Sequence, residues 1–305
     1  MTGSYIGEFA AVLTAVFWTV TALSFEAASK RIGSLAVNIL RLVVGFVFLS
    51  IFGLFYRGFL LPTDATASNW WWLLLSGLIG FTFGDLCLFQ AFVVIGARIS
   101  MLIMALAPPM TALISWIILG ETMTPWNFAG MAVTMTGIAI VVLSRNTGEE
   151  KTRTFVPLKF NFPLWGLLLA FGGAFGQSLG LVLSKLGMKE YDPFASSQIR
   201  VLAGIFGFAV IVSVMRGWRE IGGALKLRKP MLQLSAGAFF GPFLGVSFSL
   251  LSVQHANMGV AATLMAIVPI LIIPPSVILN KERVTLKEVI GAVTAVAGVA
   301  MLFVR

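Results

Sequence analysis

Residues 106–121 read LAPPMTALISWIILGE, and residues 267–282 read IVPILIIPPSVILNKE. Both are apolar enough for a membrane helix, yet both carry proline near the start. Proline lacks a backbone donor and clashes with the preceding turn, at a cost of ~3 kcal/mol inside a helix. Laying Pro108 on Pro269 also lays Ser115 on Ser276 and Glu121 on Glu282, an offset of 161 residues. The same interruption, written twice, predicts a chain of two related halves.

The offset holds beyond the prolines. Gly80 and Gly84 fall on Gly241 and Gly245, Thr124 on Thr285, Gly130 on Gly291 and Gly137 on Gly298. Earlier in each half, Ser29-Lys30 matches Ser184-Lys185, and Arg41 matches Arg200 after a loop-length change of four residues.

The 305 residues are 58% hydrophobic and only 11% charged, with a mean hydropathy of +0.97. A soluble domain carries roughly 25% charged residues, so this chain has too little polar surface for water. Ten long apolar runs are expected as membrane helices, at about 6–28, 35–56, 70–94, 99–119, 126–144, 163–185, 194–215, 231–253, 258–279 and 285–304. They are continuous rather than alternating, which excludes barrel strands. The first run has no basic segment or small-residue cleavage site before it, and reads as a retained helix rather than a signal peptide. A single cysteine, Cys87, rules out an internal disulfide and a cysteine-based metal site. The net charge of +9 sits in short loops between apolar runs, which argues for membrane topology and against nucleic acid.

Each half therefore holds five expected helices: residues 1–145, then a basic linker at 146–162, then 163–305. Five is odd, so the second half enters the bilayer inverted, the arrangement of many secondary transporters. A break in a membrane helix is tolerable only where protein or a water-filled cavity receives the freed backbone groups. Pro108, Pro109, Pro269, Pro274 and Pro275 are thus candidate kinks or hinges along a transport path, with packing alone as the simpler reading. Glycines at four-residue spacing, Gly172, Gly176 and Gly180 and again Gly237, Gly241 and Gly245, make smooth helix faces for close approach.

Glu26, Arg41, Asp85 and Arg200 fall within apolar runs, where an ionisable side chain is by default a functional hypothesis. At 1.5 Å per residue, Glu26, Arg41 and Asp85 all fall in one half of the bilayer, so Arg41 can meet either acid. Arg200 keeps the arginine in the second half, but Leu181 and Val246 stand where the acids would be. Asp85 either neutralises Arg41 or takes up a proton or a substrate cation. Trp70, Trp71 and Trp72 read as an interfacial anchor. His255 has no second ligand at metal spacing, and neither a metal nor a cofactor is expected.

The paired five-helix halves, a Lys closing the first helix of each, an Arg within the second, and the Pro…Gly-Glu or Lys-Glu…Gly ending resemble the drug/metabolite transporter superfamily, in particular its EamA-repeat members. The resemblance covers nearly the whole chain. It implies an all-α carrier with ten transmembrane helices around a central cavity, and bacterial relatives that export amino acids and other metabolites. It also implies that the first helix of each half faces the cavity, which makes Trp18 and Gln177 candidate substrate contacts, with Gln90 a similar candidate in the third helix.

The expected activity is secondary-active export of amino acids or related polar metabolites, with protons a candidate coupling ion. An organic-cation or drug carrier is the alternative. A channel or an intramembrane enzyme fits less well, because there is no selectivity ring and no paired catalytic group. The lipid bilayer and a small-molecule substrate are the expected partners, as monomer or homodimer, in the plasma membrane of a bacterium or archaeon. Leaving out Arg41 and Arg200, fifteen Lys and Arg lie on one side and four on the side of the termini. The positive-inside rule then puts loops 145–162 and 216–230 in the cytoplasm and the termini outside, whereas the resemblance implies termini inside.

Overall fold

The computed structural model describes residues 5–144, 163–280 and 285–303. The expected linker 146–162 and Glu282 lie outside the described residues. Every regular element among the described residues is helical. The first half comprises α1 (Ile6–Ile32), α2 (Ser34–Arg57), α3 (Ala67–Gly77), α4 (Asp85–Met104), α5 (Ala107–Leu119) and α6 (Pro125–Ser144). The second comprises α7 (Leu164–Met188), α8 (Pro193–Val214), α9 (Trp218–Ala224), α10 (Arg228–Ala238), α11 (Val246–His255), α12 (Met258–Met265), α13 (Val268–Leu271), α14 (Ile273–Asn280) and α15 (Leu286–Phe303).

Local chemistry sets the helix ends. The Thr66 hydroxyl accepts the Asn69 N–H while the Asn69 amide oxygen accepts the Thr66 N–H, a reciprocal cap that starts α3. Asp192 accepts the Ala195 N–H and Pro193 opens α8, where its missing donor costs nothing. Gly58 and Gly120 close α2 and α5 with φ of 76° and 67°, a left-handed turn that only glycine adopts freely.

Two matched irregularities divide each half. Between α3 and α4 runs a seven-residue π-helix, Leu78–Gly84, and between α10 and α11 another, Phe239–Gly245. They correspond residue for residue at the 161-residue offset. The second irregularity is a turn at 105–106, matched by one at 266–267, just before the prolines. Pro108 and Pro109 open α5 and Pro269 opens α13, while Pro274 and Pro275 open α14. The prolines therefore sit in the first turns of new helices, where a backbone N–H would have no intrahelical partner and its lack costs little.

The expected break between runs 70–94 and 99–119 is not a gap in helical structure, since α4 continues to Met104. The chain nevertheless turns back. A Cβ on Gly166 would touch Ile95, and the Ser178 hydroxyl, twelve residues further along α7, reaches the Ala107 carbonyl. A straight continuation from Ile95 would carry Ala107 ~18 Å away from Gly166 in the direction opposite to Ser178. In the second half the matching reversal is sharp: Ala256 is extended, and the Asn257 side chain caps α12 by accepting the Gly259 N–H. Gly96 stands at the position of Asn257 and has no side chain to cap with.

The described chain forms two contact units, Met1–Thr82 with Leu179–Ala256, and Phe83–Ser178 with Asn257–Arg305. Each draws on both sequence halves. In the first unit α1 packs against α10, the second π-helix and α11, while α2 packs against α8. Its buried centre joins Leu42, Leu49, Phe81, Val201, Phe208 and Leu234. Phe17, Phe48, Phe52, Phe194 and Phe248 form ring contacts with Phe239, Phe240 and Phe243 of the second π-helix or with one another. In the second unit α6 packs against α15 and α5 against α12, and Ala91 and Ile95 pack on Leu169 and Ala170.

Repeat-matched glycines make the tightest of these contacts reciprocal. Gly130 meets Gly298 and Gly137 meets Gly291, so α6 and α15 run antiparallel, as inverted repeats require. Likewise Gly45 meets Pro242 and Gly204 meets Phe81, the residue 161 positions before Pro242. Seven helical segments among the described residues are long and apolar enough to cross a membrane, corresponding to expected runs one, two, three, five, six, seven and eight. Runs four and nine are cut into shorter pieces by the breaks at 105–106 and 266–267, and run ten is α15, eighteen residues long. The outward faces are apolar: Val43, Val47, Ile51 and Leu54 of α2 are all exposed, as a lipid-facing stripe requires.

Candidate functional site

Asp85 is the first residue after the first π-helix. Its side chain is only 7% exposed, and its carboxylate accepts a hydrogen bond from the Gln177 amide at 2.7 Å. The next residue on α7, Ser178, places its hydroxyl 2.8 Å from the Ala174 carbonyl and 3.0 Å from the Ala107 carbonyl, one proton shared between two acceptors. Ala107 opens α5 immediately before Pro108. Consecutive residues of α7 thus tie together the two backbone irregularities of the first half, the π-helix and the proline break.

The approach depends on small residues. A Cβ on Gly173 would lie 3.1 Å from Leu88 Cβ, and one on Gly172 would lie 3.4 Å from Cys87 Sγ. These glycines let α7 lie close enough to α4 for a short side chain to reach Asp85. By the 155-residue offset of the Ser-Lys pair, Gln177 and Ser178 match Ala22 and Leu23, and Asp85 matches Val246. The polar knot therefore has no counterpart in the other half. A buried carboxylate within a span is a candidate acceptor for a proton or a cation.

The Arg41 guanidinium lies over the Phe25 ring at 5.5 Å, and that of Arg200 over the Phe81 ring at 5.0 Å, so both repeat-matched arginines have aromatic seats in the first unit. Trp18 is half-buried, its indole against Gly245 at the end of the second π-helix. Gln90 is exposed, as are Pro274 and His255, while Pro108 is buried and Pro109 and Pro275 are half-buried. Glu26 belongs to α1, and its side chain and that of Pro269 are outside the described set.

Glu121 makes a tie between helices that the sequence did not disclose. Its carboxylate accepts the Met258 N–H at 2.9 Å, and Asn257 donates to the Thr122 carbonyl at 3.1 Å, which fastens the end of α5 to the start of α12. Its repetition as Glu282 was the available signal. At the end of α2, Arg57 pairs with Asp64 and donates to the Tyr191 hydroxyl, which donates in turn to Asp64. Burial, and then the bond to Asp64, push the Tyr191 pKa up to about 12.

The reciprocal antiparallel pairing of α6 with α15, the exposed apolar stripe of α2 and the seven apolar spans define a multi-pass membrane protein built from repeats. The chain belongs to the EamA-like transporter family, whose model matches it twice, over residues 5–143 and 164–304. It therefore belongs to the drug/metabolite transporter superfamily and is a transporter rather than an enzyme. Human "Solute carrier family 35 member G1" is 28% identical over 153 residues, covering 48% of this chain and 40% of that protein. The chain thus matches about two-fifths of that relative's length. A crystal structure of a protein 17% identical in sequence has a TM-score of 0.75, with 97% of this chain and 95% of that one covered, a likeness of fold.

Proposed function

We propose that the chain is a ten-span secondary transporter, its repeats at 1–145 and 163–305 joined by a cytoplasmic linker, that exports amino acids or related small polar metabolites by alternating access. Asp85 is its proton or substrate-ammonium acceptor, and Gln177 holds that carboxylate in place. The observation that carries this reading is the buried Asp85 carboxylate, set where the π-helix and the proline break are tied together. π-Helical turns inside α-helices recur at functional positions, and matched interruptions in two repeats mark the binding region of transporters. The smooth contacts at Gly130, Gly137, Gly291 and Gly298 suit helices that tilt without repacking large side chains.

Purified protein is melted with a panel of amino acids, organic acids and organic cations at pH 6 and pH 8. A ligand that binds only the folded form stabilises it by ~2.7 kcal/mol at a hundredfold excess over Kd. A zwitterion that stabilises wild type but not Asp85→Asn supports the metabolite carrier. Stabilisation confined to apolar cations favours a drug carrier instead.

A further inference from the structure

We propose that residues 214–229 form a docking surface for anionic phospholipid headgroups. Spans Pro193–Val214 and Arg228–His255 end and begin at its two margins, so the segment between them lies where the chain leaves the bilayer. Helix α9 is pinned there by its inner face, with Ile221 and Ala224 6% and 4% exposed in the core that also holds Val212. The Trp218 indole donates to the Ser213 hydroxyl at 3.0 Å and is held half-exposed at the end of the span.

The outer face mixes two chemistries. Arg216, Arg219, Lys226, Arg228 and Lys229 are exposed, with Glu220 as the one exposed acid among them. Beside them Val214, Met215, Trp218, Leu225 and Leu227 are exposed as well. In water such an apolar surface would be a cost. At the headgroup level the apolar side chains reach the acyl boundary while the long cationic ones extend to phosphate. A soluble polyanion would engage the cations but make no use of Trp218 or Leu225, so the mixed face selects a ligand with a phosphate and a chain together. A basic residue near an anionic membrane surface strengthens attraction about fivefold.

The test uses the full-length protein in a neutral detergent, titrated with short-chain phosphatidylglycerol, phosphatidylcholine or inorganic phosphate while the melting temperature is read. Phosphatidylglycerol raises it and the other two do not. In Arg219→Gln/Lys226→Gln/Arg228→Gln the lipid concentration for half the shift rises about a hundredfold, at about fivefold per cation, with the lipid-free melting temperature unchanged. If the triple variant does not fold, the single variants Arg219→Gln and Lys226→Gln each show the fivefold step. An unchanged titration in the variants overturns the proposal. So does phosphate reproducing the shift, or phosphatidylcholine matching phosphatidylglycerol.

Discussion

Two glycine-to-alanine substitutions separate the packing account from simple helix propensity. A Cβ on Gly137 would lie 2.4 Å from the Ala295 nitrogen, 2.5 Å from the Gly291 oxygen and 2.6 Å from the Ala295 Cβ. Two of those atoms are backbone, so no side chain can swing aside, and α6 and α15 must part by ~1 Å to restore ordinary contact. Overpacking of this kind costs ~1–3 kcal/mol. At Gly222 a Cβ would meet nothing within 4 Å. Alanine gains ~1 kcal/mol of helix propensity over glycine at either site, so the difference between Gly137→Ala and Gly222→Ala isolates the clash. For chains of about this size each kcal/mol moves the melting point by roughly 2–4 °C, which places Gly137→Ala roughly 2–12 °C below Gly222→Ala. The assay is thermal unfolding of both proteins purified in the same detergent. Equal melting points would refute the close antiparallel contact of α6 and α15, and with it the reciprocal packing of the repeats.

Gln177→Leu removes the amide donor to a buried carboxylate and is expected to cost ~1.5–3 kcal/mol, read as a lower melting point; in an Asp85→Leu background the same change costs much less. Glu121→Ala frees the Met258 N–H and loosens the start of α12, at ~1–2 kcal/mol, whereas Glu121→Gln recovers part of the loss. Tyr191 deprotonates near pH 12 in spectrophotometric titration, and Tyr191→Phe removes that phase. Because its folded-state pKa is raised, the stability it contributes is full below the ordinary tyrosine pKa of ~10 and is lost as pH climbs through about 12.

The repeat and its prolines were readable from sequence because proline has a fixed backbone consequence and repeats at one spacing. Glycine pairs were readable for the same reason, and Gly130 and Gly137 prove to touch each other's counterparts, Gly298 and Gly291, across α6 and α15. The π-helices were not readable: LIGFTFG and FFGPFLG share only glycines at the third and seventh positions, and no residue type dictates the wider turn. Asp85 and Gln177 were each singled out, but they stand 92 positions apart in sequence, so only the folded chain joins them. The aromatic seats of Arg41 and Arg200 were missed because a phenylalanine in a run of apolar residues carries no mark of its partner. A break was expected between the apolar runs 70–94 and 99–119, yet the uncapped Gly96 leaves the backbone helical where Asn257 ends it cleanly.

Asp85 is proposed to couple transport to protons or a substrate cation. Reconstituted wild-type and Asp85→Asn proteins are compared in liposomes for flux of a stabilising substrate, with and without an imposed pH gradient, and for counterflow without one. The account predicts that the gradient accelerates flux in wild type and has no effect in Asp85→Asn, whose counterflow persists if the residue serves the proton alone and disappears if it binds the substrate. Full gradient dependence in Asp85→Asn would contradict it.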